Sequence, residues 1–160
     1  MTISTGNLPA DLREVYVDVH FQIMFLNERW GFLKGLCSSP RRLLLLEQRG
    51  GWFFPLAIQD MANEFVAGTC RLTDRIKTSG QTNLNLAYLN HLLEESGEQG
   101  LSERLSELLE EIKAASRMMR KQRNKRISHR DEKVARERKV HVLPDILNSE
   151  AEPTLELLQM

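Results

Sequence analysis

The chain has 160 residues, of which 41% are apolar and 28% charged, and its formal net charge is zero. These totals exclude a disordered chain and suit one soluble domain with its own core. No apolar run approaches the roughly 20 residues that cross a bilayer, and "MTISTGNLPADL" lacks the blocks of a signal peptide.

In chain order the elements read as helices with short breaks. Asn7 and Pro9 mark a first start. Leu12, Val15, Tyr16, Val19, Ile23, Leu26, Trp30 and Leu33 then recur at helical spacing. A second stripe, Val17, Phe21, Met24, Phe25 and Phe32, rides on the same helix. A helix apolar on two sides buries both, one in its own core and the other against a second chain, so a homodimer is expected. Ser39 and Pro40 cap and open a short helix that "RGGWFFP" breaks. A further helix is predicted from about Leu56 to Ile76, followed by the loop "KTSGQT". Asn83 or Thr82 is a candidate cap for "NLNLAYLNHLLEES", which Gly97 and Gly100 stop. The last long helix begins near Leu101 and carries Leu105, Leu108, Leu109, Ile112, Ala115 and Met119 on its apolar side. Acidic early turns and basic late turns suit its dipole. Only "KVHVL" alternates like a strand, so the expected fold is all-α, a helical bundle of antiparallel up-down helices over residues 1–143. Residues 144–160 read as a C-terminal tail or a short docking helix, in a segment that Pro144 is expected to break.

Charge is segregated along this frame. Between Lys113 and Lys139 stand twelve Lys or Arg against three acids, a net +9 that the rest of the chain balances. Such a block is an electrostatic footprint for a polyanion, or else a solvated helix face.

Metal and cofactor chemistry find no support: there is no HExxH, no Cys/His cluster, no calcium loop and no phosphate-binding Gly loop. Cys37 and Cys70 have no ligand spacing and read as buried thiols of a reducing cytoplasm. Of four histidines, His20 is expected to be partly buried and structural, and His91 to be an ordinary surface or boundary side chain. His129 differs. The cations around it oppose its protonation and keep it available as a base, while Asp131 pulls the other way.

"RNKRISH", Arg123 to His129, resembles the Arg-polar-x-His motif of the HEPN ribonucleases. Arg13 to His20 and Arg136 to His141 fit the bare spacing too, but they lack Asn124 and the place at the end of a long helix. "RLTDRIKTSGQTNLNLAYLNHLL", Arg71 to Leu93, is similar to the matching segment of the abortive-infection subgroup. The resemblance covers most of residues 10 to 131. It implies a HEPN-like bundle whose dimer sets two motifs across one cleft, and a metal-independent endoribonuclease that needs no cofactor. Arg123, Asn124 and His129 would be catalytic, with Lys121, Lys125, Arg126 and Arg130 holding the RNA backbone. The setting would be bacterial defence or toxin–antitoxin, with an antitoxin protein as a candidate partner. In an ideal helix residues six apart lie about 120° from each other. A shared site for Arg123 and His129 therefore requires a bend, a cleft that wraps the helix end, or the other chain. Arg71 and Asp74 either line the cleft or, the favoured reading, form a buried pair tying two helices together. The alternatives are a non-catalytic HEPN-like module that binds RNA or a protein through the basic helix end, and a structural dimer with a solvated basic face.

Overall fold

The computed structural model describes residues 9–124 and 142–160. Helix α1 (Ala10–Leu36) starts directly after Pro9, whose fixed φ leads into the first turn; Asn7 lies outside the described residues. Both of its apolar stripes are real. Leu12, Val15, Val19, Leu26, Trp30 and Leu33 are buried, with Tyr16 and Ile23 packed beside them. Val17, Phe21, Met24, Phe25 and Phe32 face the opposite way, about 150° round the helix at roughly 100° per residue. All five are exposed, Phe32 to 66%. His20 is exposed rather than partly buried: it falls on the flank between the stripes and stacks on Tyr16 at 6.0 Å.

Helix α2 (Pro40–Gly50) is capped by the Ser39 side chain, which accepts from the Arg42 N–H at 3.2 Å. None of its residues is buried, because four consecutive leucines, Leu43 to Leu46, wind round the helix instead of lining one side. A Cβ at Gly50 would collide with the Phe54 ring, and Gly51 has φ +52°. These two positions turn the chain straight into α3 (Phe53–Leu72), which starts and ends a few residues earlier than expected. Its Ala62, Phe65, Val66, Cys70 and Leu72 are buried. α1 and α3 cross closely at Gly68, where an added Cβ would sit 2.8 Å from Leu26 Cδ2. Only one cysteine is buried: Cys37, at the end of α1, is exposed.

The segment expected to be a plain loop is a small hairpin, β1 (Lys77–Thr78) paired antiparallel with β2 (Gln81–Thr82). Ser79 and Gly80 both take positive φ, 52° and 83°, as a type I′ turn requires. Strands this short leave no alternation to read. Helix α4 (Leu86–Glu95) is capped not by Asn83 or Thr82 but by Asn85, whose Oδ1 accepts from the Tyr88 N–H at 2.9 Å. Asn83 instead donates to Arg75 O at 2.7 Å and Thr78 Oγ1 at 2.8 Å. α4 closes in a Schellman motif: Gly97, φ +80°, donates to Glu94 O, and Glu98 to Leu93 O.

The expected long helix is broken in two. Helix α5 (Gln99–Ala115) contributes Leu109 and Ile112 to the core. At Ser116 the chain leaves helical geometry (φ −96°, ψ 19°), its hydroxyl donating back to Ile112 O at 2.7 Å. Helix α6 (Arg117–Gln122) then restarts. The last described helix, α7 (Val142–Leu158), takes in the end of "KVHVL", and residues 139–141 lie outside the described residues. Pro144 does not break it, because it falls in the first turn, where a missing N–H costs nothing. The expected boundary at 143 thus falls inside this helix. α7 packs against α5, α6 and α1. Ala151, Thr154, Leu155 and Leu158 are buried there, and Lys34 Nζ meets Glu152 at 2.7 Å. Among the described residues no helix is long and apolar enough to cross a membrane.

Candidate functional site

The ends of α3 and α6 meet at a cluster built on Asp74. Thr73 closes α3, its hydroxyl within 3.3 Å of both Thr69 O and Cys70 O. Asp74 follows where the chain turns away. Asn85, fully buried at the start of α4, donates to Asp74 O at 3.0 Å and lies 3.4 Å from Arg75 O, which fixes the backbone at this turn. The Asp74 carboxylate then takes two guanidiniums: Arg120 Nη1 at 2.7 Å on Oδ1 and Arg123 Nη1 at 2.5 Å on Oδ2. Arg120 spends its other Nη2 on Thr73, reaching the hydroxyl and, at 3.5 Å, the carbonyl. Arg123 donates its Nε to Asn124 Oδ1 at 3.1 Å. The side chains of Arg123 and Asp74 are 20% and 25% exposed.

The expected Arg71–Asp74 pair does not form. Arg71 lies on the exposed side of α3 and pairs with Glu64 two turns earlier on the same helix. Asp74 stands beyond the helix end, aimed at α6. Arg120 and Arg123 reach it together because residues three apart share a helix face. α6 holds its direction because Glu150 of α7 caps it from outside: Oε1 and Oε2 accept from the Met118 and Met119 N–H groups, each at 2.9 Å. At Arg123 and Asn124 the helical turn widens to the π spacing, a local irregularity common at functional sites. Cys70 is buried nearby; desolvation pushes its thiol up, and Arg123 and Arg120 pull it only partly back. It is an unreactive neighbour, not a nucleophile.

Of the residues singled out from the sequence, the structure brings Arg123 and Asn124 together and leaves Lys121 exposed on α6. His129, Lys125, Arg126 and Arg130 lie outside the described residues. Arg120, Thr73 and Asn85 were missed. Arg120, three residues before Arg123, was the readable signal for the first. His91 is the half-buried boundary residue expected, 3.5 Å from Glu95. Among the described residues no group of three or more His, Cys, Asp or Glu is placed to hold a metal ion.

The AbiU2 model of the HEPN domains matches residues 10–146, from the first residue of α1 into the start of α7. The chain belongs to this family. It is thus a HEPN domain of the abortive-infection type, and the span matched contains the whole Asp74 cluster and the Arg123–His129 motif. Neither the curated proteins nor the solved structures gave a match. Within this HEPN domain, two guanidiniums share one carboxylate. Charge-assisted bonds of this kind contribute on the order of 1.5–3 kcal/mol each. That is enough to offset the roughly 2 kcal/mol of rotamer freedom that an ordered arginine loses. Arg123 is therefore held in one orientation before any ligand arrives. Asp74 and Asn124 engage its Nη1 and Nε, and among the described residues nothing takes Nη2.

Proposed function

We propose that this HEPN domain is an endoribonuclease that cuts RNA without a metal ion or cofactor, in a bacterial defence or toxin–antitoxin setting. The observation that carries the reading is the pre-oriented Arg123, fixed by Asp74 and Asn124 within the basic segment in a chain of this family. In the reaction His129 takes the proton of a ribose 2′-hydroxyl. The 2′-oxygen attacks the adjacent phosphorus, the P–O5′ bond breaks, and the leaving 5′-oxygen takes a proton from water. A 2′,3′-cyclic phosphate and a 5′-hydroxyl result. Arg123 stabilises the charge gathering on the phosphoryl oxygens, and Asn124 orients Arg123 or the phosphate by hydrogen bonding. Lys121, Lys125, Arg126 and Arg130 hold the backbone, so binding weakens steeply with salt. DNA, lacking the 2′-hydroxyl, survives.

The active unit in this reading is a homodimer that covers the outer stripe of α1, and an antitoxin protein is its candidate inhibitor. The test is to incubate the purified chain with labelled single-stranded RNA in EDTA, beside His129→Ala and Arg123→Ala. Cleavage by the wild type alone is expected, with each variant losing on the order of 100-fold or more. Equal cutting by all three would expose a contaminant and end the nuclease reading. Salt-sensitive binding with no cleavage would select the non-catalytic module instead.

A further inference from the structure

We propose that Asp74 is a positioning residue for Arg123, a role that rests on the nuclease reading and adds a residue outside the motif to the site. Three features of the fold converge on it. The backbone of Asp74 is pinned from α4 by Asn85, a buried side chain that simultaneously caps that helix. Its carboxylate is shared, with Oδ2 on Arg123 and Oδ1 on Arg120, so it cannot swing towards solvent without breaking both bonds. Arg120 is in turn locked to Thr73, one residue before Asp74. Arg120 thus acts as a strut that immobilises the carboxylate, with both ends of its guanidinium committed to protein groups. Arg123 is different. Asp74 holds its Nη1 and Asn124 its Nε, which sets the guanidinium plane while Nη2 has no partner among the described residues. A guanidinium held at both Nη1 and Nε presents Nη2 to a phosphoryl oxygen with no reorganisation during the reaction, which is where electrostatic catalysis gains most.

A bond that only tied α3 to α6 would predict a different pattern of loss. Asp74→Asn is nearly isosteric and retains one acceptor, but it cannot hold two cations. Val15→Ala thins the core on α1 and removes none of the cluster's bonds. In the whole 160-residue chain, kcat and KM on a labelled RNA are measured for both variants alongside their denaturant midpoints. If Asp74 positions Arg123, Asp74→Asn lowers kcat about 100-fold with KM changed less than about threefold. Val15→Ala loses comparable stability and keeps kcat within a few-fold. If both variants instead lose activity in step with stability, or Asp74→Asn keeps its kcat, the proposal is overturned. A second readout does not need cleavage. The Nη hydrogens of Arg123, assigned by Arg123→Lys, are expected as resolved resonances in the wild type because Asp74 slows rotation about Cζ–Nε, and as an averaged line in Asp74→Asn. Unchanged resonances in that variant would overturn the clamp whether or not RNA is cut. A wild-type protein that leaves RNA whole in EDTA removes the nuclease reading, and the resonances then decide the clamp alone.

Discussion

Single side chains settle where the helices of this domain stop and start. Asn85 caps α4 and holds the Asp74 carbonyl. Ser116 bends its hydroxyl back onto Ile112 O and ends α5. Glu150, thirty-odd residues away in sequence, supplies the acceptors that the first turn of α6 lacks. A helix of six residues has no intrinsic stability in water, so α6 depends on such outside partners. Glu150→Ala should cost about 1–2 kcal/mol, the usual loss of a helix cap. Equilibrium unfolding in urea checks this, and an unchanged midpoint would mean that α6 keeps its direction without the cap. Legibility at this scale was uneven. Ser39 before Pro40 is a local signal, and it was read correctly. Asn83 and Asn85 each stand directly before a leucine, and only the fold shows which amide faces the helix end. Glu150 carries no local signal, since its partners come from another helix.

Elements were legible where their stabilisation is periodic and local. The buried stripe of α1 lies at the spacing read from the sequence, and so does most of the apolar side of α5; Leu101 is the exception and stays exposed. The β1–β2 hairpin was not legible, because it rests on backbone conformation rather than on a pattern of side chains. Ser79 pays for its left-handed backbone, where asparagine or glycine would be at ease. Ser79→Asn should therefore raise stability by up to about 1 kcal/mol, read as an increase in Tm; a lower Tm would mean that the Ser79 side chain does more in the turn than its backbone suggests. The break at Ser116 was also missed. "AASRMM" continues the helical period of α5, and the turn is redirected because Met119 must reach the core while Arg120 reaches Asp74.

At the scale of the whole molecule the largest unsatisfied feature is the apolar surface on the first third of the chain. Val17, Phe21, Met24, Phe25 and Phe32 of α1 are exposed, as are Leu43, Leu44 and Leu45 of α2, and beyond them Trp52, Phe53 and Leu56, with Trp52 81% exposed. Monomeric proteins rarely leave a long apolar stripe such as that of α1 open to water. If the outer stripe of α1 is the dimer face, the double change Phe21→Arg and Phe25→Arg should give a monomer by sedimentation velocity at micromolar concentration, with the core stripe and the helical circular dichroism intact. A wild-type monomer, or a variant that still dimerises, would place the interface elsewhere. The sequence by itself determined the helical class, the two-sided first helix, the basic segment and the family, because periodicity, charge and motif spacing are properties of neighbours along the chain. Only the tertiary structure decided what holds Arg123. Asp74, Arg120 and Asn85 lie up to 46 residues apart, and an ion pair belongs to whichever charges the packing of α3, α4 and α6 brings within reach. Asp74 is three residues from Arg71 in sequence, yet the fold gives it to two other arginines because the chain turns away from α3 immediately after Thr73.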